Sequence, residues 1–169
     1  MENRKKGLCW YLCCFFTAGL FVALDQYTKY LAVTTLKGKP SLILINGVFE
    51  LTYLENTGAA FGILENARWL FIVGSFIISF LALYVLVKLP REKKYIPLLT
   101  VVILLISGAV GNMIDRLLNG FVVDFLYFSL IDFPVFNVAD IYVTVGVAVF
   151  LVCFWMYSDE DLQMILRKK

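Results

Sequence analysis

Residues 69–89 read WLFIVGSFIISFLALYVLVKL, a run of 21 positions whose one charge, Lys88, stands next to its end. A helix that crosses a bilayer needs about 20 predominantly apolar residues. With no charged stripe along its length, this run reads as a transmembrane helix rather than as the half-wetted helix of a soluble domain. Working outward, Leu8–Leu24, Ile96–Ile114 and Val138–Tyr157 have the same character. Of the 169 residues 61% are hydrophobic and 17% charged, whereas soluble domains carry roughly 45–50% apolar and about 25% charged residues. A water-soluble globule is excluded, and so is a disordered chain. The expected architecture is a mainly α membrane protein, one domain over 1–169. Its four transmembrane helices carry a small extracytoplasmic β-hairpin or sheet platform, with outward segments at about 25–68 and 115–137.

The first span resembles a cleaved signal peptide in its basic start, Arg4, Lys5 and Lys6. It is followed by Asp25-Gln26-Tyr27-Thr28-Lys29 and not by a small-x-small cleavage site, so it is read as a retained helix. Lys and Arg mark the cytoplasmic side of a membrane protein. Arg4, Lys5, Lys6, then Lys88, Arg91, Lys93, Lys94, then Arg167, Lys168 and Lys169 make ten of the fifteen basic residues, all on one side of the four spans. Both termini are therefore expected in the cytoplasm.

Histidine is absent, which removes Ser-His-Asp and Cys-His catalysis and imidazole metal ligands. A net charge of +2 implies no nucleic-acid partner. Cys9, Cys13, Cys14 and Cys153 fall within the inner parts of spans one and four with no metal-ligand spacing. They read as free thiols used as small apolar residues. Neither a metal nor another cofactor is expected.

Between spans one and two, Ser41–Tyr53 reads as two β-rich runs about Asn46-Gly47, the strongest short hairpin signal, with a type I′ turn expected. Glu55-Asn56-Thr57-Gly58-Ala59-Ala60-Phe61-Gly62 follows, its small residues permitting close backbone approach or simply making a tight connection. The second outward segment is nearly continuously apolar around Asp124 and Asp132, and is expected to lie against the membrane interface.

A charge in hydrocarbon costs roughly 2.5–3.5 kcal/mol at mid-membrane and asks for a function. Asp25 and Lys29 stand one helical turn apart, the spacing of a local ion pair worth a few tenths of a kcal/mol. Gly108, Asn112 and Arg116 share one face of span three with Asp115 beside it. That is either a packing seam closed by an Asp–Arg pair or an arginine free to hold a carboxylate or a carbonyl. Asp124 sits among Val122, Val123 and Phe125, which raises the pKa of its carboxyl by desolvation. Asn137 and Asp140 have the spacing of a capping box, and the start of a helix favours an ionised carboxylate there. Two aspartates whose surroundings favour opposite protonation states are a recurring acid–base arrangement. An aspartic peptidase and an ion-coupled transporter both fit. The transporter would need acids near the midplane and a broken helix or inverted repeat, and no internal repeat is evident.

Five blocks narrow the choice. Leu24-Asp25-Gln26-Tyr27-Thr28-Lys29, Glu55-Asn56-Thr57-Gly58-Ala59-Ala60-Phe61, Gly108-Ala109-Val110-Gly111-Asn112-Met113-Ile114-Asp115-Arg116, Val122-Val123-Asp124-Phe125 and Phe136-Asn137-Val138-Ala139-Asp140 resemble, in order, the blocks of bacterial lipoprotein signal peptidase, signal peptidase II, aspartic peptidase family A8. The resemblance implies a multi-pass enzyme of the bacterial cytoplasmic membrane, with its active site facing the extracytoplasmic side. Such an enzyme removes the signal peptide from diacylglyceryl-modified prolipoproteins just before the lipidated cysteine. It implies Asp124 and Asp140 as the catalytic pair, with Asp25, Lys29, Asn56, Gly58, Asn112, Arg116 and Asn137 as supporting or substrate-binding residues. Membrane lipid as a partner, inhibition by globomycin-type cyclic peptides and a monomeric state belong to the same expectation.

Overall fold

A computed structural model of the chain describes residues 2–58, 64, 66–158, 160, 161, 163 and 165. Its elements are α1 (Glu2–Leu36), β1 (Leu42–Ile45), β2 (Phe49–Asn56), α2 (Arg68–Lys88), α3 (Ile96–Leu118), β3 (Val122–Tyr127) and α4 (Val138–Met156). All four helices are long and apolar enough to cross a membrane. Of the most apolar stretch of each, 44% is buried in α3 against 17% in the others, so α3 is the central helix. It packs against α1, α2 and α4. The outward faces of α1, α2 and α4 carry exposed Phe16, Phe80 and Trp155, the pattern of a lipid-facing surface.

The helices begin and end where local chemistry dictates. Pro97 stands in the first turn of α3, where its missing N–H costs nothing. Lys88 closes α2 two residues before Pro90. The capping box expected at α4 is present: Asp140 N–H donates to Asn137 Oδ1 at 3.1 Å, and Asn137 N–H donates to Asp140 Oδ2 at 3.1 Å. Two glycines set how closely the helices approach. A Cβ on Gly108 would lie 2.6 Å from the Ala139 carbonyl oxygen, and one on Gly111 would lie 2.5 Å from Asp25 Oδ2.

Two sequence-based expectations about elements need correction. The first helix does not stop at Leu24 but runs to Leu36, carrying Asp25 and Lys29 inside it, because both charges are paired within the bundle. The hairpin is where it was expected, yet its turn is not type I′. Only Gly47 takes positive φ, and Val48 N–H donates to the Ile45 carbonyl at 3.0 Å. The unprimed turn mismatches strand twist, and an irregularity between Ile43 and Ile45 absorbs the difference.

The apolar segment after α3 supplies a third strand. β3 pairs antiparallel with β2, giving the order β1-β2-β3. A register irregularity between Leu51 and Leu54 sets Asp124 opposite Leu54 and Val122 opposite Asn56. Alternation along β3 turns Val123 and Phe125 onto Ala32 and Leu36 at the end of α1, and Asp124 to the other face. After β3 the chain reverses through Asp132, in the left-handed region at φ 49°, and Phe136 bridges back to Leu126. That return places Asn137 beside β3. Beyond α4, Asp161 accepts Lys94 Nζ at 2.6 Å and Tyr95 Oη at 3.1 Å, tying the chain past α4 to the α2–α3 connection.

Candidate active site

Asp124 and Asp140 arrive from different elements and meet on one residue. Asn137 Nδ2 donates to Asp124 Oδ1 at 2.6 Å, while Asn137 backbone N–H donates to Asp140 Oδ2 at 3.1 Å. The second oxygen of Asp124 accepts Asn56 Nδ2 at 2.7 Å, and the second oxygen of Asp140 accepts Asn112 Nδ2 at 2.8 Å. All four carboxyl oxygens thus have an amide donor. Asn112 Oδ1 in turn accepts Lys29 Nζ at 2.9 Å and Asn137 Nδ2 at 3.1 Å, which decides which end of its amide faces Asp140.

Asp124 is 2% exposed. Burial first, and then the neighbouring Asp140 carboxyl, pushes its pKa up to about 7, against the opposing pull of the Asn56 and Asn137 donors and Lys29. The upward direction anticipated for this carboxyl is borne out, through burial on the face opposite Val123 and Phe125. A carboxyl with such a value holds its proton over much of the range below neutrality.

Asp25 and Lys29 do pair, at 2.9 Å, but not as a local surface contact: both are buried, and Lys29 Nζ also lies 3.1 Å from Asp115 Oδ2. Of the two readings of α3, the Asp115–Arg116 pair is not made and Arg116 instead holds a carbonyl. Adjacent residues on a helix diverge, so Asp115 turns to Lys29 whereas Arg116 turns the other way. Arg116 Nη2 donates to the Gly58 carbonyl at 3.1 Å, and its guanidinium lies 4.5 Å from the centre of the Phe71 ring. Gly58 enters through its backbone alone, its N–H donating to Asn56 Oδ1 at 2.9 Å. Positions 59–62 of that block lie outside the described residues.

All nine residues singled out in the sequence thus belong to one connected polar cluster. Sequence reasoning gave no role to Gln26, whose Nε2 lies 3.1 Å from Asp25 Oδ2, 3.0 Å from Asp115 Oδ1 and 3.2 Å from the Gly111 carbonyl. Nothing in local spacing marks Gln26, because its contacts on α3 lie 85 and 89 residues away in the chain.

The cluster opens on a cavity of about 610 Å³ between α2, α3 and α4. Leu70, Phe71, Ile78, Leu105, Val143 and Val147 supply apolar walls, and Asn56, Asn112, Arg116 and Asp140 line its polar part. Asp124 stands directly behind Asn56. Of the two carboxyls Asp140 lines the cavity, and a carboxyl against greasy walls suits hydrolysis of a bond carried by an apolar chain.

Comparison with known proteins gives the chain a family. Residues 17–156 match the family Peptidase_A8, signal peptidase (SPase) II. A lipoprotein signal peptidase of Brevibacillus brevis is 45% identical over 152 residues, 90% of this chain and 99% of that one. One of Streptococcus pyogenes serotype M1 is 41% identical over 140 residues, 83% of this chain and 91% of that one. A bacterial membrane enzyme solved by the in meso method at 2.3 Å resolution superposes with a TM-score of 0.76 at 31% identity, covering 93% of this chain and 92% of the other. The chain belongs to the signal peptidase II family.

Proposed function

We propose that Asp124 and Asp140 are the catalytic dyad, and that the bond they cut lies just before the diacylglyceryl-modified cysteine of a prolipoprotein. The chain is an aspartic-type peptidase that removes signal peptides from prolipoproteins. The observation that carries the dyad is the shared Asn137, which donates to both carboxyls, of which Asp140 lines the apolar cavity. The ionised member takes a proton from a water, whose oxygen attacks the scissile carbonyl. The protonated member gives its proton to the carbonyl oxygen, and the tetrahedral intermediate collapses as the leaving amine is protonated. The raised pKa of Asp124 supports a pair that keeps one proton near neutrality.

Asn56, Asn112 and Asn137 hold the carboxyls in place, and Arg116 holds the Gly58 carbonyl and so the segment beside Asp124. Asp25 and Lys29 complete the support from α1. The walls from α2 and α4 suit the apolar signal helix and its acyl chains, and a globomycin-type cyclic peptide would compete for the same space. The whole chain acts as one monomeric domain of the bacterial cytoplasmic membrane, with both termini cytoplasmic and the dyad extracytoplasmic. The crowding of Lys and Arg at the termini and between α2 and α3 supports that orientation. The test is cleavage of a diacylglyceryl-modified prolipoprotein by purified Asp124→Asn and Asp140→Asn enzymes. Each should be inserted, folded and inactive; normal cleavage by either overturns the dyad.

A further inference from the structure

Each aspartate of the dyad is preceded by a residue whose backbone is held from behind. Val123 N–H, next to Asp124, donates to Asp115 Oδ2 at 3.1 Å. Ala139 N–H, next to Asp140, donates to Asp25 Oδ1 at 2.9 Å. These two supporting carboxylates are then joined twice. Lys29 Nζ lies 2.9 Å from Asp25 Oδ2 and 3.1 Å from Asp115 Oδ2. Gln26 Nε2 lies 3.1 Å from Asp25 Oδ2 and 3.0 Å from Asp115 Oδ1. Gly111 leaves the space that Asp25 Oδ2 occupies.

We propose that Gln26 and Asp115, acting with Asp25 and Lys29, are positioning residues that set the separation of the two catalytic carboxyls. This rests on the dyad proposed above. The brace runs from the β3 backbone through Asp115, across Gln26 and Lys29, to Asp25 and the first turn of α4. Apolar residues of similar volume could hold α1 against α3 without desolvating two carboxylates and an ammonium. They could not accept an N–H from each of two backbones, one beside each reacting group. The clamp also reaches forward, because Lys29 donates to Asn112 Oδ1 and so aims Asn112 Nδ2 at Asp140.

Gln26→Leu tests the brace, since it exchanges one neutral side chain for another. The charged groups facing the dyad, Asp25 and Lys29 from α1 and Asp115 and Arg116 from α3, keep their charges. Any movement of the pH profile then reports geometry. With a diacylglyceryl-modified prolipoprotein as substrate, kcat should fall roughly 10- to 100-fold while KM stays within about twofold, as expected for a misplaced reacting group. The bell of kcat against pH should narrow from both sides, because the coupling that splits the two ionisations weakens as the carboxyls drift apart. Unchanged kcat, or a loss that merely follows the folded fraction with an unmoved profile, overturns the proposal. If Gln26→Leu fails to fold, Gln26→Met keeps the length and volume, and wild-type kcat and profile in that variant overturn it equally. Loss of cleavage in Asp124→Asn and Asp140→Asn together with a wild-type profile in Gln26→Leu would sink the brace alone; retained cleavage in the asparagine variants would sink the dyad itself.

Discussion

Asp124 concentrates the electrostatics of the site in one side chain. Its raised pKa means that the folded chain binds a proton there which the unfolded chain has released. Stability therefore falls as pH climbs from the ordinary carboxyl range to about 7, and is flat in this respect above it. Asp124→Asn should remove that slope, so thermal midpoints of wild type and variant in detergent, compared across this range, should differ most in their pH dependence. If Asp124 and Asp140 are the dyad proposed above, cleavage by the wild-type enzyme should decline as pH rises beyond about 7, where the pair loses its remaining proton. Asn137 carries a different burden, since its side chain caps α4 and also binds Asp124. Asn137→Ala should cost about 1 kcal/mol from the lost cap alone. Its loss of activity should be larger than that, because the amide shared by the two carboxyls goes with it; kinetics alongside a thermal melt separate the two. The types and spacing of these residues are visible in the chain. What each side chain touches is not, and so the Asp115–Arg116 pair looked plausible until Lys29 took Asp115.

Helix α3 matters as an element because small residues on it admit other groups rather than merely packing. Gly111→Ala would place a Cβ 2.5 Å from Asp25 Oδ2, and neither α3 nor the buried carboxylate can yield cheaply. Overpacking of this kind costs about 1–3 kcal/mol, and it would fall on the support behind Asp140. We expect a lowered thermal midpoint together with lowered kcat, read on the same preparation. The helical spans were legible because hydrocarbon imposes a length and a composition on any helix crossing it. The continuation of α1 to Leu36 was not, since Asp25 and Lys29 look like an end of the span until their partners on α3 are in view. β3 was hidden for a related reason: a strand buried on both faces loses its alternation and reads as a plain apolar run.

At the scale of the molecule, charge placement and the cavity bear on how the enzyme sits in its membrane. In a variant with Cys9, Cys13, Cys14 and Cys153 replaced by alanine, Lys39→Cys should react with a membrane-impermeant maleimide added to whole cells, and Arg91→Cys only after permeabilisation. The reverse pattern would invert the proposed topology. By itself the sequence determined the class of the protein, its four membrane helices, the hairpin and nine of the residues that gather in the polar cluster. Hydrophobic length, glycine turns and the cost of a charge in lipid are local properties of the chain. Tertiary structure alone decided the partnerships: which carboxylate meets which amide, that β3 and the Phe136 return bring Asn137 to Asp124, and that Gln26 joins Asp25 to Asp115. Those contacts span up to 114 residues of chain. Hydrogen bonds of a few ångströms between such distant positions exist only once close packing has fixed every helix and strand against its neighbours.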